Sequence, residues 1–505
     1  MVIFMRIINL TARSATFEMD CSNPYFYTCE FDITVDGVFL RKENRNVFTI
    51  FDLKPNTKYT INVLADTLEF ETLNEALCVN VRDFNTASDG VTDDTSKIQA
   101  AIMCAPDGST VYIPKGVYLV SSLFLKSNIM IYLEKGAKIL ARTERSAFPI
   151  FPGLIDDYNF GVWEGSEVNN FASVINGVNI ENAVICGEGV IDSQAENGDW
   201  YINHRQMNIA WRGHSLFFNR CKNISVIGVY VCNTQSWAIH PYFSNDISFF
   251  NVSIKNNPDM PTTDGIDPDC CDGVKIVGCR FDVGDDCIAI KSGTIELANK
   301  YNKPCSNIFI SNNHMLKGHG GVVFGSESSG GITNVNVERC LFENTDRGLR
   351  IKTRRGRGNK AIDNVLFDNI IMNGVKTPFV INMYYNMGPK GGHEEYVWTT
   401  KKLPIDELTP NVGSFKFSNM ICNNVEYAAG VFLGLPESKI GTLEFNNIKF
   451  TYDNNAEEGY PVMIEHNFKM KNAGLYCFNV EKIITKDVEF IGNLGENIIV
   501  ERSDG

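Results

Sequence analysis

The segment Asn223-Ile224-Ser225-Val226 belongs to a set of short runs that recur along most of the chain. Most of these runs begin with a polar residue, often asparagine, and continue with β-branched or other apolar residues. Other members are Asn128-Ile129-Met130-Ile131, Asn182-Ala183-Val184-Ile185, Asp246-Ile247-Ser248-Phe249, Gly273-Val274-Lys275-Ile276, Asn307-Ile308-Phe309-Ile310, Asn334-Val335-Asn336-Val337 and Asn364-Val365-Leu366-Phe367. Runs of this kind predict short β-strands.

The spacing of the runs indicates a repeating architecture. The steps are 23, 27, 34, 27 and 30 residues between the equivalent positions Ile224, Ile247, Val274, Ile308, Val335 and Val365. A loose period of this size is typical of a solenoid. Because no long helices separate the runs, we expect coils of parallel strands, which means an all-β parallel β-helix. An array of β-sandwiches is the structural alternative, but its hairpin turns are scarce here.

The first 78 residues have a different pattern. Alternating stretches such as Ala15–Met19 and Phe31–Val35 predict half-buried strands, and Asp36-Gly37 predicts a hairpin turn. The stretch Leu53–Thr60 resembles a corner of a fibronectin type III sandwich. We therefore expect a small β-sandwich over residues 1–78, with a spacer or stabilising role, and a β-helix catalytic domain over residues 79–505.

A short helix is predicted at the start of the second domain. Ile98, Ala101 and Ile102 follow one another at helical spacing after a polar stretch that contains Asp93 and Asp94. Capping of this helix explains the two carboxylates better than catalysis does.

Composition limits the possible partners. The chain has 46 basic and 60 acidic residues, hence a net charge of −14, which disfavours nucleic acid. No apolar run reaches the roughly 18 residues of a membrane helix, and no signal peptide is evident. The 15 cysteines favour buried free thiols in a reducing compartment. We expect a cytoplasmic or periplasmic protein, or a secreted one if a leader has been removed; the sequence leaves the oligomeric state open.

Four polar clusters fall on successive predicted coils. They are Thr262-Thr263-Asp264-Gly265-Ile266-Asp267, Gly284-Asp285-Asp286-Cys287, Gly318-His319-Gly320-Gly321 and Arg350-Ile351-Lys352. The gaps from Asp264 to Asp285 to His319 to Arg350 are 21, 34 and 31 residues, each about one coil. Since adjacent strands are about 4.8 Å apart, the clusters should form one column on the outer surface.

Paired carboxylates in such a column suit glycoside hydrolysis. An inverting glycosidase needs one protonated carboxyl group at the leaving oxygen and one carboxylate that activates water. Crowding of carboxylates raises the pKa of one of them, which keeps an acid available near neutral pH. A turn or a metal site is the alternative interpretation of Asp285-Asp286 alone, but the aligned histidine and Arg-x-Lys favour catalysis.

The fourth cluster offers a solution to a charge problem. An acidic protein repels an anionic polysaccharide unless a local basic patch binds it. Six cations lie within eleven residues: Arg347, Arg350, Lys352, Arg354, Arg355 and Arg357. Arginine binds carboxylates through two parallel hydrogen bonds, so this stretch predicts contacts with uronic acids rather than a solvated loop or a nucleic-acid patch.

From about residue 80 onward the sequence resembles glycoside hydrolase family 28, the polygalacturonases. The resemblance is carried by Thr263-Asp264-Gly265, Gly284-Asp285-Asp286-Cys287, Gly318-His319-Gly320 and Arg350-Ile351-Lys352. It implies a right-handed parallel β-helix and an inverting hydrolase that needs neither metal nor cofactor. It also implies a substrate of oligo- or polygalacturonate.

The resemblance implies roles for individual residues. Asp285 would be the general acid, Asp264 and Asp286 would hold the water as base, and His319 would tune the acid. Arg350 and Lys352 would bind the substrate carboxylate at the cleavage point. The family usually has asparagine where this chain has Thr262.

Further substrate contacts are expected near these clusters. The stretches Trp237–Tyr242 and Gly321–Glu327 resemble the bacterial exo-acting branch. We expect His240 to face the groove, Lys291 to add a carboxylate contact, and Tyr385 or its neighbour Tyr384 to stack on a sugar ring.

The expected activity is therefore exo-acting cleavage of α-1,4-galacturonosidic bonds in short oligomers. Loops and the N-terminal domain would close one end of the groove. The alternatives are a rhamnogalacturonan hydrolase of the same family, a pectate lyase, and a β-helix that only binds glycans.

Overall fold

The structure is a computed structural model that describes residues 5–387 and 392–503. Most of the chain winds into a right-handed parallel β-helix, as the spacing of the sequence repeats predicts. Most coils contribute one strand to each of three faces, and the coil that contains Asp264 has only isolated bridges at Ile266 and Asp269 on the third. The first face contains the strands Cys78–Asn80, Ser109–Ile113, Ile129–Leu133, Glu181–Gly187, Lys222–Ile227, Asn245–Phe250, Asp272–Val277, Cys305–Ser311, Ile332–Glu338, Ala361–Asn373, Asn411–Val412, Phe415–Val425, Ile440–Tyr452 and Val480–Ile491.

The two other faces follow the same coils. The second face contains Asp89–Asp93, Gly116–Val120, Ala137–Ala141, Val190–Asp192, Tyr230–Cys232, Ser253–Lys255, Arg280–Asp282, His314–Lys317 and Leu341–Glu343, and the long strands from Ala361–Asn373 onward continue into it. The third face contains Leu123–Phe124, Ile175–Val178, Leu216–Asn219, Ile239–Tyr242, Ile288–Ile290, Val322–Gly325, Arg347–Lys352, Thr377–Asn382, Ala428–Leu433, Ala473–Phe478 and Leu494–Glu501.

The register of the first face confirms the predicted repeat. The parallel pairs join Ile224 to Ile247, Ile247 to Val274, Val274 to Ile308, Ile308 to Val335 and Val335 to Val365. These side chains are buried in one continuous core that runs through the interior of the coils. Stacking therefore buries apolar side chains that a single coil would leave exposed.

The polar residue before each first-face strand has a structural role. Asn182, Asn223 and Asn334 have φ values of 54°, 53° and 58°, in the left-handed region where asparagine is tolerated. The side-chain amide of Asn334 donates to Asn307 (3.1 Å), and that of Asn364 donates to Asn334 (2.7 Å). The asparagines thus turn the chain and link successive coils.

The N-terminal region forms the expected small β-sandwich. One antiparallel sheet contains Met5–Leu10, Ala15–Met19 and Val47–Ile50, and the other contains Phe26–Val35, Val38–Arg45, Lys58–Val63 and Asp66–Glu71. The two sheets enclose their own core, which includes Phe17, Phe48 and Ile61.

This small domain packs along the outside of the first face. Met130, Tyr132, Cys186, Ile227, Phe250 and Val277 form a buried cluster with Ala12 and Val47. Polar contacts extend the interface, because Glu18 bonds to Asn312 (3.0 Å) and to Arg339 (2.9 Å). Asn369 donates to the carbonyl of Ser22 (2.7 Å).

Insertions between coils form the remaining elements. The predicted helix is present at Thr95–Cys104, with Ile98, Ala101 and Ile102 buried. The other described helices are Ile295–Tyr301 and Glu395–Trp398. Short 3₁₀ turns lie at Val81–Phe84, Arg145–Ala147 and Ala195–Asn197. Two short antiparallel strand pairs join Ile150–Phe151 to Asn170–Phe171 and Val162–Trp163 to Ser166–Glu167. No helix within residues 5–387 and 392–503 is both long and apolar enough to span a membrane. All 15 cysteines are free thiols.

Candidate active site

A cavity of about 380 Å³ opens on the outer side of the third face. The strand Arg347–Lys352 shows how the sequence builds it. Leu349 and Ile351 are part of the core, so the alternation of side chains along a strand turns Arg350 and Lys352 outward. Asp264, Asp285, His319, Arg350 and Lys352 all line this cavity.

The three aspartates converge because their coils stack in register. The N–H of Gly265 donates to the carbonyl of Asp286 (2.9 Å), and the N–H of Cys287 donates to that of Gly320 (2.8 Å). Each of Asp264, Asp285 and Asp286 places one carboxylate oxygen within 4.8 Å of the others. The column that the sequence spacing predicts is therefore present.

Asp286 is completely buried and is held by two cations. Lys352 Nζ is 2.7 Å from its Oδ2, and Arg350 Nη1 is 3.2 Å from its Oδ1. Burial favours the neutral acid, but the two cations outweigh it and hold the pKa of Asp286 below its ordinary value. Arg350 and Lys352 thus neutralise Asp286 in addition to facing the cavity.

Asp285 has two different partners. Its Oδ2 accepts a hydrogen bond from the N–H of Thr262 (3.0 Å), and its Oδ1 lies 3.4 Å from His319 Nδ1. Thr262 has a φ of 60°, and its hydroxyl accepts from Arg212 (2.8 Å). The turn that usually carries asparagine is therefore ordered here by Arg212, and its backbone positions Asp285.

The three carboxyl groups differ in acidity. Burial and the neighbouring Asp267 and Asp285 raise the pKa of Asp264 well above its ordinary value. The pKa of Asp285 is lowered, because the contact with His319 outweighs burial, and the same contact raises the pKa of His319. The surroundings therefore favour the protonated form of Asp264, and they favour an ionised Asp285 beside a protonated His319.

Lys291 extends the cationic lining, as the sequence predicts for its position. Its ammonium group is 3.6 Å from Glu327 Oε2, 3.8 Å from Asp267 Oδ2 and 4.3 Å from the ring centroid of Trp237. Burial favours the neutral amine, but Glu327 and Asp267 raise the pKa of Lys291. Lys291 therefore presents a positive charge to the cavity.

The expectation for His240 is wrong. Its side chain is completely buried, with Nδ1 3.1 Å from His214 Nε2 and Nε2 3.5 Å from Asp269 Oδ2. Burial and the charge of Lys291 lower its pKa to about 3, so the imidazole is neutral. The reason is packing that the repeat does not predict, since the rings of His214 and Trp237 lie 4.8 and 4.9 Å from that of His240.

Most of the arginine cluster has a different role from the one expected. Arg347 donates to the carbonyls of Tyr460 (2.6 Å) and Pro461 (3.1 Å). Arg354 donates to the carbonyl of Met387 (2.7 Å), and Arg355 pairs with Glu437 (2.6 Å) inside the protein. Of the six cations, Arg350 and Lys352 line the cavity, whereas these three hold the loops that frame it.

Aromatic residues complete the cavity wall. Tyr385 lies at the lining with Lys352 Nζ 5.8 Å from its ring centroid, whereas Tyr384 donates to the carbonyl of Gly434 and points away. Trp163 stacks between Trp211 (4.9 Å) and Trp237 (5.9 Å). Sequence reasoning missed Trp163, Trp211, Glu164, Arg205, Met387 and Met463, which also line the cavity. The segments that contain these residues lie outside the repeated strands, so the repeat does not predict their position.

The N-terminal domain does not close the groove. All the described residues that line the cavity lie between Trp163 and Met463. The small domain packs instead on the first face. The closing role expected for it belongs to the loops of the β-helix.

The sequence predicts no metal site, yet the three aspartates are spaced closely enough to share a cation. Calcium requires six to eight oxygen ligands, and Asp286 is already neutralised by Arg350 and Lys352. The geometry alone therefore gives no reason to add a metal.

Comparisons with known proteins agree with this geometry. The sequence model of glycosyl hydrolases family 28 matches residues 107–434. A Vitis vinifera protein named "Probable polygalacturonase" is 27% identical over 394 residues, which cover 76% of this chain and 77% of that protein.

Two solved structures are also similar. The hyperthermoactive exopolygalacturonase of Thermotoga maritima is 25% identical with a TM-score of 0.64, covering 81% of this chain and 92% of that one. The family 28 exopolygalacturonase of Yersinia enterocolitica has a TM-score of 0.69 at 18% identity and covers 99% of this chain and 97% of that one. The second similarity establishes a shared fold over nearly the whole chain.

Proposed function

Because the chain belongs to glycosyl hydrolases family 28, and is therefore a glycoside hydrolase, we propose that it is a polygalacturonase that acts from chain ends on short oligogalacturonides. The observation that carries the proposal is the cluster of Asp264, Asp285 and Asp286, of which the first two line a cavity that four cations also line. The similarity of this chain to proteins that are named as polygalacturonases supports galacturonate chains as the substrate.

Asp285 is the proposed proton donor to the leaving oxygen. Its carboxyl group faces the cavity, and His319 beside it holds a proton through the raised pKa of its imidazole. When negative charge develops on the leaving oxygen, that proton can pass through Asp285 to the oxygen. A positioned general acid of this kind contributes about 10²–10⁴-fold to the rate.

Asp286 is the proposed base, with Asp264 beside it. Lys352 and Arg350 keep Asp286 ionised, so it can orient a water molecule and accept its proton. The raised pKa of Asp264 favours its protonated form, which can donate a hydrogen bond to the same water. The nearest oxygens of the three residues lie within 4.8 Å, which is shorter than the roughly 6.5–9.5 Å carboxyl separation of inverting enzymes. The proposal of inversion therefore rests on the family resemblance.

The cations explain how an acidic protein holds an acidic sugar. Lys291, Arg350 and Lys352 line one cavity together with Arg205. A galacturonate oligomer carries one carboxylate on each ring, so neighbouring rings could each meet a cation. This lining favours homogalacturonan over the rhamnogalacturonan alternative, in which charged and neutral rings alternate.

Exo action is supported by the residues that line the cavity. Trp163, Met387 and Met463 belong to segments that connect the strands of the coils, and all three line the cavity. We infer that these segments close the groove, which then accommodates the end of a chain better than its middle.

Product analysis tests the proposal. With polygalacturonate, an exo enzyme releases one small product from the start while viscosity falls slowly. An early ladder of oligomers with a rapid loss of viscosity would indicate endo action, and products that absorb in the ultraviolet would indicate a lyase. The anomeric form of the first product, followed by proton NMR, decides between inversion and retention. Absence of any cleavage would leave a glycan-binding β-helix.

We also propose a reducing compartment for the protein, because its 15 cysteines are free thiols and most are buried. Cell fractionation of the producing organism tests this directly. Recovery of the protein from the culture medium would contradict it.

A further inference from the structure

A two-residue hairpin turn places a glutamate inside the substrate cavity. The strands Val162–Trp163 and Ser166–Glu167 pair antiparallel and are joined by Glu164 and Gly165. Both turn residues have positive φ, 45° for Glu164 and 70° for Gly165. This turn type favours asparagine, aspartate or glycine at its first position, so a glutamate there is not explained by the turn.

The hairpin is fixed firmly across the third face. Gly165 accepts a hydrogen bond from the hydroxyl of Thr294 (2.9 Å), and a Cβ atom at Gly165 would lie only 2.8 Å from the backbone nitrogen of Thr294. Glu167 accepts from Tyr301 (2.6 Å) and Lys300 (2.9 Å). Val162 packs with Tyr242 beneath it. The tip therefore has one defined position.

The Glu164 carboxyl group faces the cavity without a hydrogen-bond donor from the described part of the chain. It is partly buried and lines the cavity, and no side chain or N–H in residues 5–387 and 392–503 donates to it. Burial and the nearby Glu327 raise the pKa of Glu164 to about 7, against the opposing charges of Lys291, Arg205 and Arg212. Because the carboxyl group is open to the cavity, it is available to a ligand.

The ligand group that fits Glu164 is a hydroxyl rather than a carboxylate. A carboxyl group accepts hydrogen bonds from sugar hydroxyls whether or not it is ionised. A sugar carboxylate is better bound by Arg205 and Lys291, which line the same cavity, so it has no need of Glu164. The hairpin also lies against Tyr242, because Val162 packs with it in one buried cluster, and it therefore limits the continuation of a chain on this side.

We propose that Glu164 recognises the free hydroxyl group at the end of the oligogalacturonide chain and thereby sets how many rings separate that end from the cleavage site. This inference rests on the proposed function. Glu164 is a specificity-determining residue in this role, because it touches the substrate but not the reacting atoms.

Two variants test the role with little change to the backbone. Glu164→Gly removes the carboxyl group at a φ that glycine adopts freely, and Glu164→Gln keeps an oxygen that can accept a hydrogen bond. Asp156→Gly is the matched control, because Asp156 is an exposed acidic residue of the same insertion with a φ of 50°. Each is assayed on trigalacturonate for kcat/KM and on polygalacturonate for product size, together with its thermal unfolding midpoint.

The expected result is a loss of kcat/KM of about 10- to 100-fold for Glu164→Gly, the effect of one hydrogen bond to a charged group. Glu164→Gln should lose less, and Asp156→Gly should match the wild type. On polygalacturonate, the single small product expected of the wild type should become a mixture of lengths in Glu164→Gly.

Two altered trimers identify the chain end. One has a 4,5-unsaturated ring that lacks the hydroxyl at the non-reducing end, and the other is reduced at the opposite end. The wild type should discriminate against one of them, and Glu164→Gly should lose that discrimination. Unchanged kinetics and product size in Glu164→Gly would overturn the inference, as would discrimination that the variant retains. A wild-type protein inactive on all galacturonates would instead overturn the proposed function.

Discussion

Replacing Lys352 by methionine should separate the electrostatic role of this residue from its bulk. Lys352 Nζ lies 2.7 Å from Asp286 Oδ2, and both side chains are buried. Methionine fills a similar volume without a charge. The variant therefore leaves Asp286 with Arg350 as its remaining cation, at 3.2 Å.

The expected loss of stability follows from this distance. Two unit charges 2.7 Å apart attract each other by roughly 6 kcal/mol at an effective dielectric constant of about 20. Removing one partner of a buried pair typically costs about 3–5 kcal/mol. Because Arg350 still compensates Asp286, we expect a decrease of about 3 kcal/mol in the free energy of unfolding at neutral pH.

The pH dependence has a defined sign. Although burial opposes them, Lys352 and Arg350 lower the pKa of Asp286, so its stabilising effect is present above the unfolded pKa of about 3.9 and is lost as the pH falls further. Without Lys352 the pKa of Asp286 rises. The acid limb of the kcat/KM profile should therefore move to higher pH, and the stability difference from the wild type should shrink in acid.

Two controls make the measurement specific. Lys138→Met removes a more exposed ion pair with Asp192 (3.1 Å) and should cost about 1 kcal/mol or less. The double variant Lys352→Met/Asp286→Asn should regain stability, because the buried charge is removed as well. An acid limb at the wild-type pH, with a stability loss no larger than that of Lys138→Met, would refute the reasoning.

Three further predictions concern the same site. Asp285→Asn should lower kcat by about 10²–10⁴-fold while the protein stays folded, because the neutral amide cannot donate the proton; turnover near the wild-type value would contradict the acid role. His319→Gln should move the alkaline limb of the kcat/KM profile to lower pH, since the raised pKa of His319 keeps a proton on the Asp285–His319 pair in the wild type. An alkaline limb at the wild-type pH would mean that another group supplies the proton. EDTA should leave activity unchanged, and a loss restored by calcium would place the enzyme with the lyases.

The sequence predicts the repetitive part of this molecule well. The equivalence of Ile224, Ile247 and Val274 follows from a pattern that each coil repeats, and the strands pair in that register. The same reasoning brings Asp264, Asp285 and His319 to one cavity, because parallel coils stack their corresponding positions.

The parts that sequence reasoning missed lie outside the repeat. His240 has the outward position expected of it, but the rings of His214 and Trp237 pack against it, and the periodic pattern does not predict these contacts. Likewise, Arg347 and Arg355 look like substrate contacts from composition alone. Their partners at Tyr460 and Glu437 are about 80 to 110 residues away, a distance in sequence that local patterns do not reach.

The lateral packing of the N-terminal domain has a consequence for the order of unfolding. In a solenoid each coil contacts only its neighbours, so the chain can fray from either end. Here the N-terminal domain contacts many coils at once, from the coil that contains Tyr132 to the coil that contains Asn369. Those coils should open together, whereas the final coils, from Ile440 onward, have no such support. Amide hydrogen exchange should therefore be fastest at the C-terminal end, and limited proteolysis should trim that end while the catalytic coils stay intact.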